Sequence, residues 1–140
     1  MPSQKHHGFT LLEIIIVIII LGILAGLALP RFMRTAESVR GGEALKELTA
    51  LRTALESFWF RNQSYIGAVL GGAGHNLFID DPSTGQNPHF VYTLNNITTN
   101  TYTITAIRNS VDGGDGVSAL ILDANSGVTT RTGTTPFFGM

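Results

Sequence analysis

Glu13 is the only charged residue between Phe9 and Leu29, in a run otherwise made of Ile, Leu, Val and Ala with Thr10, Gly22 and Gly26. A carboxylate in hydrocarbon is costly unless a cation meets it, so a glutamate at this place points to a purpose. The short polar leader Met1 to His7 ends in Gly8, immediately before the apolar run. Cleavage after Gly8 would free the α-amine of Phe9, a group that titrates at about 7.7–8.0 in peptides. Glu13 would then stand one helical turn inside the new N-terminus. If the amine of one copy met the carboxylate of another in a low-dielectric core, each would offset the other's burial cost and fix axial register.

The remaining chemistry-bearing residues are more ordinary. The run Asp112-Gly113-Gly114-Asp115-Gly116 sets two carboxylates on a flexible loop. Such a loop can offer oxygens to Ca²⁺, but turn formation is the simpler account, and no cofactor is expected. His75 and His89 are separated by loop, with no nucleophile at triad spacing, and read as solvated loop histidines. Trp59 lies on an apolar helical stripe, where a core aromatic beneath a sheet is the expected role. The chain has no cysteine, which excludes a disulfide framework and a Cys-based metal or thiol site. Nothing resembles a nucleotide-binding loop, so any energy source is external.

These residues must be positioned by a small set of elements. The segment 9–29, at about 1.5 Å per residue, is roughly 31 Å long as a helix, enough to cross a bilayer core. Pro30 follows it, removing a helix hydrogen bond, so a kink or local melting is expected from Gly26 to Pro30. Residues 30–62 then read as an amphipathic helix, with Ala44, Leu48, Leu51, Leu55 and Phe58 on one stripe and Leu45 and Trp59 widening it. Glu43–Lys46 and Arg52–Glu56 are spaced for weak helical pairs. Gly41-Gly42 is its weak point, at about 1 kcal/mol per glycine relative to alanine.

Residues 63–140 form the head, with loop signals at Gly71-Gly72-Ala73-Gly74 and Asp81-Pro82-Ser83-Thr84-Gly85. Strand signals follow at Phe90–Leu94, Thr101–Ile107, Val117–Leu122 and Val128–Arg131, giving a meander of three or four antiparallel strands. One face, comprising Tyr102, Ile104, Ala106, Val117, Ala119 and Ile121, is expected to cover the helix stripe. The apolar tail Pro136-Phe137-Phe138 suits packing on a neighbour or on its own sheet. The fold class is therefore α+β.

Charge adds one constraint. Residues 31–61 carry six Arg/Lys against four Glu, and residues 62–140 carry two Arg against five Asp. Neither half is basic enough for a dedicated nucleic-acid surface, and no nucleic-acid partner is predicted.

Three readings of the N-terminus compete. A secretory signal peptide has a shorter apolar core and no internal glutamate. A plain membrane anchor fits by length, but the charge count leaves its orientation open and Glu13 without a use. In the third, the run Gly8-Phe9-Thr10-Leu11-Leu12-Glu13-Ile14-Ile15-Ile16-Val17 resembles the prepilin N-terminus of type IV pilins and type II secretion pseudopilins. The run Phe58-Trp59-Phe60-Arg61-Asn62-Gln63-Ser64-Tyr65 is similar to the helix end of many members, although Ile66 replaces the proline that often follows.

The resemblance implies the type IV pilin fold, one long N-terminal helix on a small antiparallel sheet, with leader 1–8, filament-core helix 9–29, continuing helix 30–62 and head 63–140. It implies cleavage between Gly8 and Phe9 by prepilin peptidase, N-methylation of Phe9, and an N-in, single-pass orientation in the inner membrane. Glu13 falls on the family's assembly glutamate and Pro30 on its helix proline. The implied partners are membrane lipid before assembly, other copies joined through their N-terminal helices, and a platform protein with its assembly ATPase. Major pseudopilins bind calcium in a C-terminal loop, which keeps Asp112 and Asp115 as weak candidates. The expected role is a structural, non-enzymatic subunit of a type IV pilus. The alternatives are a secretion or competence pseudopilin in a periplasmic pseudopilus and, remotely, a membrane-anchored extracytoplasmic binding domain.

Overall fold

The computed structural model describes residues 9–85 and 88–133, apart from the side chain of Asp112. The leader with Gly8 and the tail Pro136-Phe137-Phe138 lie outside the described residues. The elements are helix α1 (Leu11–Asn62) and strands β1 (Phe90–Asn95), β2 (Thr103–Arg108), β3 (Ala119–Asp123) and β4 (Thr129–Thr132). Single 3-10 turns stand at Pro82–Thr84 and Val111–Gly113. The chain divides into two compact units, one up to Ala36 and one from Glu37 onward.

In the first unit, every described residue from Phe9 to Thr35 is exposed. Thr10 starts the helix: its carbonyl and Oγ1 accept the Glu13 N–H at 3.1 and 3.3 Å. A threonine cap with glutamate three residues on is a helix-starting pattern, and the acidic side chain suits the positive end of the helix dipole. The melting expected near Pro30 is not present in the isolated chain. The α1 assignment runs unbroken through Gly26 and Pro30, because the loss of one hydrogen bond is local and the surrounding Leu, Ala and Phe residues tolerate helix.

In the second unit, α1 presents Ala44, Leu48, Leu51, Leu55 and Phe58 to the core. The four strands form one antiparallel meander in the order β1-β2-β3-β4. Register places Tyr92 opposite Ala106 and Ala106 opposite Leu120, while Leu94, Ile104 and Leu122 form the next row. These rows face the core, apart from half-buried Leu94 at its edge. This corrects the inward face expected of β3. Leu120 and Leu122 point inward, Ile121 is only half-buried, and Val117 is 75% exposed. A one-residue change of register exchanges the two faces of a strand, and Val117 precedes the strand altogether. The loop 66–89 is more than surface, since Ala68 and Leu77 are buried in the same core. The opposite sheet face carries threonine, and Asn95 Nδ2 bridges Thr93 and Thr105 across β1 and β2.

Candidate assembly site

The chain's most apolar window has a mean hydropathy of 3.0, and none of it is buried within the chain. Phe9, Leu11 and Leu12 are 77, 78 and 68% exposed, with Ile, Val and Leu side chains continuing to Leu29. Water is the wrong solvent for such a face. Contiguous apolar patches beyond a few hundred Å² mark a membrane or partner surface. Glu13 stands on this uncovered helix near its start, with no ion-pair partner among the described residues. Gly22 and Gly26 are open: a Cβ added at either would meet nothing within 4 Å. Their small-xxx-small spacing therefore serves no contact inside the chain and is available for close helix approach.

The head carries a second charged site, which the strand and stripe patterns alone did not single out. Arg108 ends β2 with no exposed surface, and Glu37 on α1 is 7% exposed. The two meet in a forked pair, with Arg108 Nε donating to Glu37 Oε2 at 3.1 Å and Nη2 to Oε1 at 3.0 Å. Arg108 Nη1 donates to the carbonyls of His89 and Asn109, both at 3.0 Å. Arg40 also donates to Glu37 Oε1. Burial alone would raise the Glu37 pKa, but hydrogen bonds from Arg108 and then Arg40, with their charges, hold it below the ordinary carboxylate range. Gly114 is required here, because a Cβ would collide with the Asn109 carbonyl and come within 2.8 Å of the Arg108 guanidinium carbon. Two sequence signals were available. Arg108 continues the buried alternation Tyr102, Ile104, Ala106, and Glu37 lies four and seven residues before Gly41 and Ala44 on the buried helix face. A charge in such a row calls for a partner.

A profile described as "Prokaryotic N-terminal methylation motif" matches residues 3–29. A second, described as "Type IV minor pilin ComP, DNA uptake sequence receptor", matches residues 30–116, more than half of the chain. The chain belongs to the type IV pilin and pseudopilin family.

Individual relatives agree. Type II secretion system core protein G of Aeromonas hydrophila is 40% identical over 88 residues, 63% of this chain and 59% of that protein. The core protein G of Dickeya chrysanthemi is 39% identical over 86 residues, 61% and 54% of the two chains. Type IV major pilin protein PilA of Myxococcus xanthus is 41% identical over 63 residues, 45% of this chain and 29% of that one. This pilin-family chain thus spans between about a third and three fifths of the length of these relatives. Its long apolar helix and four-stranded antiparallel sheet are the α+β pilin fold expected from sequence.

Asp115 holds the turn into β3, with Oδ1 accepting the Val117 and Ser118 N–H groups at 3.0 and 2.8 Å and Oδ2 accepting the Ser118 hydroxyl. The Asp112 side chain lies outside the described residues. Among the described residues, no group of three or more His, Asp or Glu side chains is placed to hold a metal. His75 is exposed, with Nδ1 2.9 Å from the Gly72 carbonyl, and His89 serves the charged site through its own carbonyl. Trp59 is half-buried at the core's margin, packed on Phe60 and Tyr65, which corrects the expectation that it lies beneath the sheet. The core position at this end of α1 belongs to Phe58. Arg52 and Glu56 form the expected helical pair at 2.8 Å.

Proposed function

We propose that this chain is a structural subunit of a type IV pilus-like filament, anchored in a membrane by α1 and then assembled through it. The carrying observation is the uncovered apolar helix from Phe9 to Thr35 with one carboxylate, Glu13, near its start. Lipid supplies the cover first and sister helices supply it in the filament. Prepilin peptidase frees Phe9 by cutting after Gly8. Glu13 then meets the α-amine of a neighbouring copy, and each charge reduces the other's burial cost. Pro30 and Gly26 are where the helix yields if assembly demands a bend. No catalytic role is assigned.

A secretion pseudopilin is the second reading, supported by the core protein G relatives at 40 and 39% identity. The DNA receptor named in the profile's description is not carried over. Binding to nucleic acid rests on exposed Lys and Arg that neutralise phosphates. Residues 62–140 hold only Arg108 and Arg131 against five Asp, and Arg108 is buried on Glu37.

Mass spectrometry of the chain purified from its own membrane tests the reading. The expected N-terminus is a methylated Phe9, whereas an intact Met1 or cleavage near Ala28 would overturn it.

A further inference from the structure

On the N-terminal side of Gly41-Gly42, Glu37 is the single buried side chain of α1 among the described residues. Beyond the glycines the packed stripe begins at Ala44 and Leu48, both with no exposed surface. The turn 37–40 is therefore attached through polar side chains, the Glu37–Arg108 fork foremost, whereas the rest of the packed helix is held by a row of apolar side chains. Each helical glycine costs about 1 kcal/mol relative to alanine. Nothing in the packing asks for the second one, since a Cβ on Gly42 would meet no atom within 4 Å. A buried charged fork thus stands one turn from the intrinsically weakest stretch of the packed part of the helix.

We propose that Glu37 and Arg108 form a latch on a helical hinge at Gly41-Gly42. With the latch closed, the turn 37–40 is bound to the end of β2 and α1 is continuous. With it open, α1 yields at the two glycines and residues 37–40 leave the sheet together, while Ala44, Leu48 and Leu51 keep their places. Opening also solvates Arg108, so the pair separates without stranding a charge in the core. Among the described residues, the charged groups facing Glu37 are Arg40 from its own helix and Arg108 from β2. The segment before β1 and the turn after β2 contribute the carbonyls of His89 and Asn109 to Arg108. Protonating Glu37 weakens the fork, so acid favours the open form. The latch belongs to the head and holds whether or not the chain forms filaments.

Amide hydrogen exchange on the full chain in detergent micelles tests this. In Glu37→Gln, amides 37–43 are expected to exchange at least tenfold faster, while those of 48–58 and of β2 stay within about twofold. Adding Gly42→Ala should recover roughly fivefold of the local protection, the worth of one helical glycine-to-alanine change. A purely structural ion pair would instead accelerate exchange across the whole head, with no local rescue by Gly42→Ala. That result, or unchanged exchange at 37–43, would overturn the latch. Arg108→Lys keeps the charge but loses the fork and gives the same reading if Glu37→Gln does not fold. Wild-type chain at acid pH should show the same local pattern.

Discussion

Two glutamates on one helix show how differently its two halves are completed. Glu37 finds its cations inside the chain, where Arg108 and Arg40 hold it in the charged form. Glu13 has none among the described residues and stands among apolar side chains that are exposed throughout. The helix carrying Glu37 buries Leu48, Leu51 and Leu55 completely, whereas the segment carrying Glu13 buries nothing. One half is therefore folded by its own sequence. The other half is specified for a surrounding that the single chain does not contain.

The largest effect expected from that contrast concerns Glu13. Glu13→Gln should leave membrane insertion unchanged and reduce sheared filament yield by an order of magnitude or more, read by comparing membrane and filament fractions. Equal yields would remove the pairing role. Next in size is one kind of truncation made in both halves. Leu51→Ala should lower the stability of the head by about 2–5 kcal/mol, as for other fully buried leucines. Leu24→Ala, at a site 56% exposed, should leave head unfolding within error. Calorimetry in detergent checks both.

Acid acts on the Glu37 pair directly. The folded pKa of Glu37 lies below its unfolded value, so its contribution is fully present above the ordinary glutamate pKa of about 4.3 and is lost as pH falls through the lower folded value. Melting temperature should be flat above about pH 5 and fall below it. Glu37→Gln should remove the part of the fall that belongs to this group. At the alkaline end, burial pushes the Tyr102 phenol up to about 12, with smaller contributions from Tyr65 and Glu56. Its contribution is present below the ordinary value of 10.0 and lost as pH rises through about 12. The smallest effect belongs to Arg52–Glu56, whose side chains are 42 and 46% exposed. Arg52→Gln should not measurably change the melting temperature, because exposed pairs are screened and mobile.

Much of this organisation was legible beforehand because it is written in local patterns. The apolar run, the helical stripe and the turn-bounded strands each repeat a signal over several residues, and the strands fall within a residue or two of their expected limits. The inward face of β3 was misread because Ala119-Leu120-Ile121-Leu122 is apolar on both faces and gives no alternation to count. The Glu37–Arg108 pair was hidden for another reason. Its members are 71 residues apart, and only the strand register brings them together. Glu13 was conspicuous because a charge in a uniform apolar background needs no partner sequence to be noticed. What covers that background lies outside the single chain, and no pattern within one chain can display it.

The absence of native cysteine permits a direct measurement of that cover. Chains carrying Ile16→Cys co-assembled with chains carrying Ile20→Cys place two thiols four residues apart, the offset that sets Phe9 of one copy level with Glu13 of the next. Oxidising these mixed filaments should give disulfide-linked dimers, and adding Glu13→Gln should abolish them while the thiols stay reactive in the membrane fraction. Filaments that form normally yet give no linked dimers from Cys substitutions on any face of residues 16–24 would contradict the account, because sister helices would then not be what covers Phe9 to Thr35.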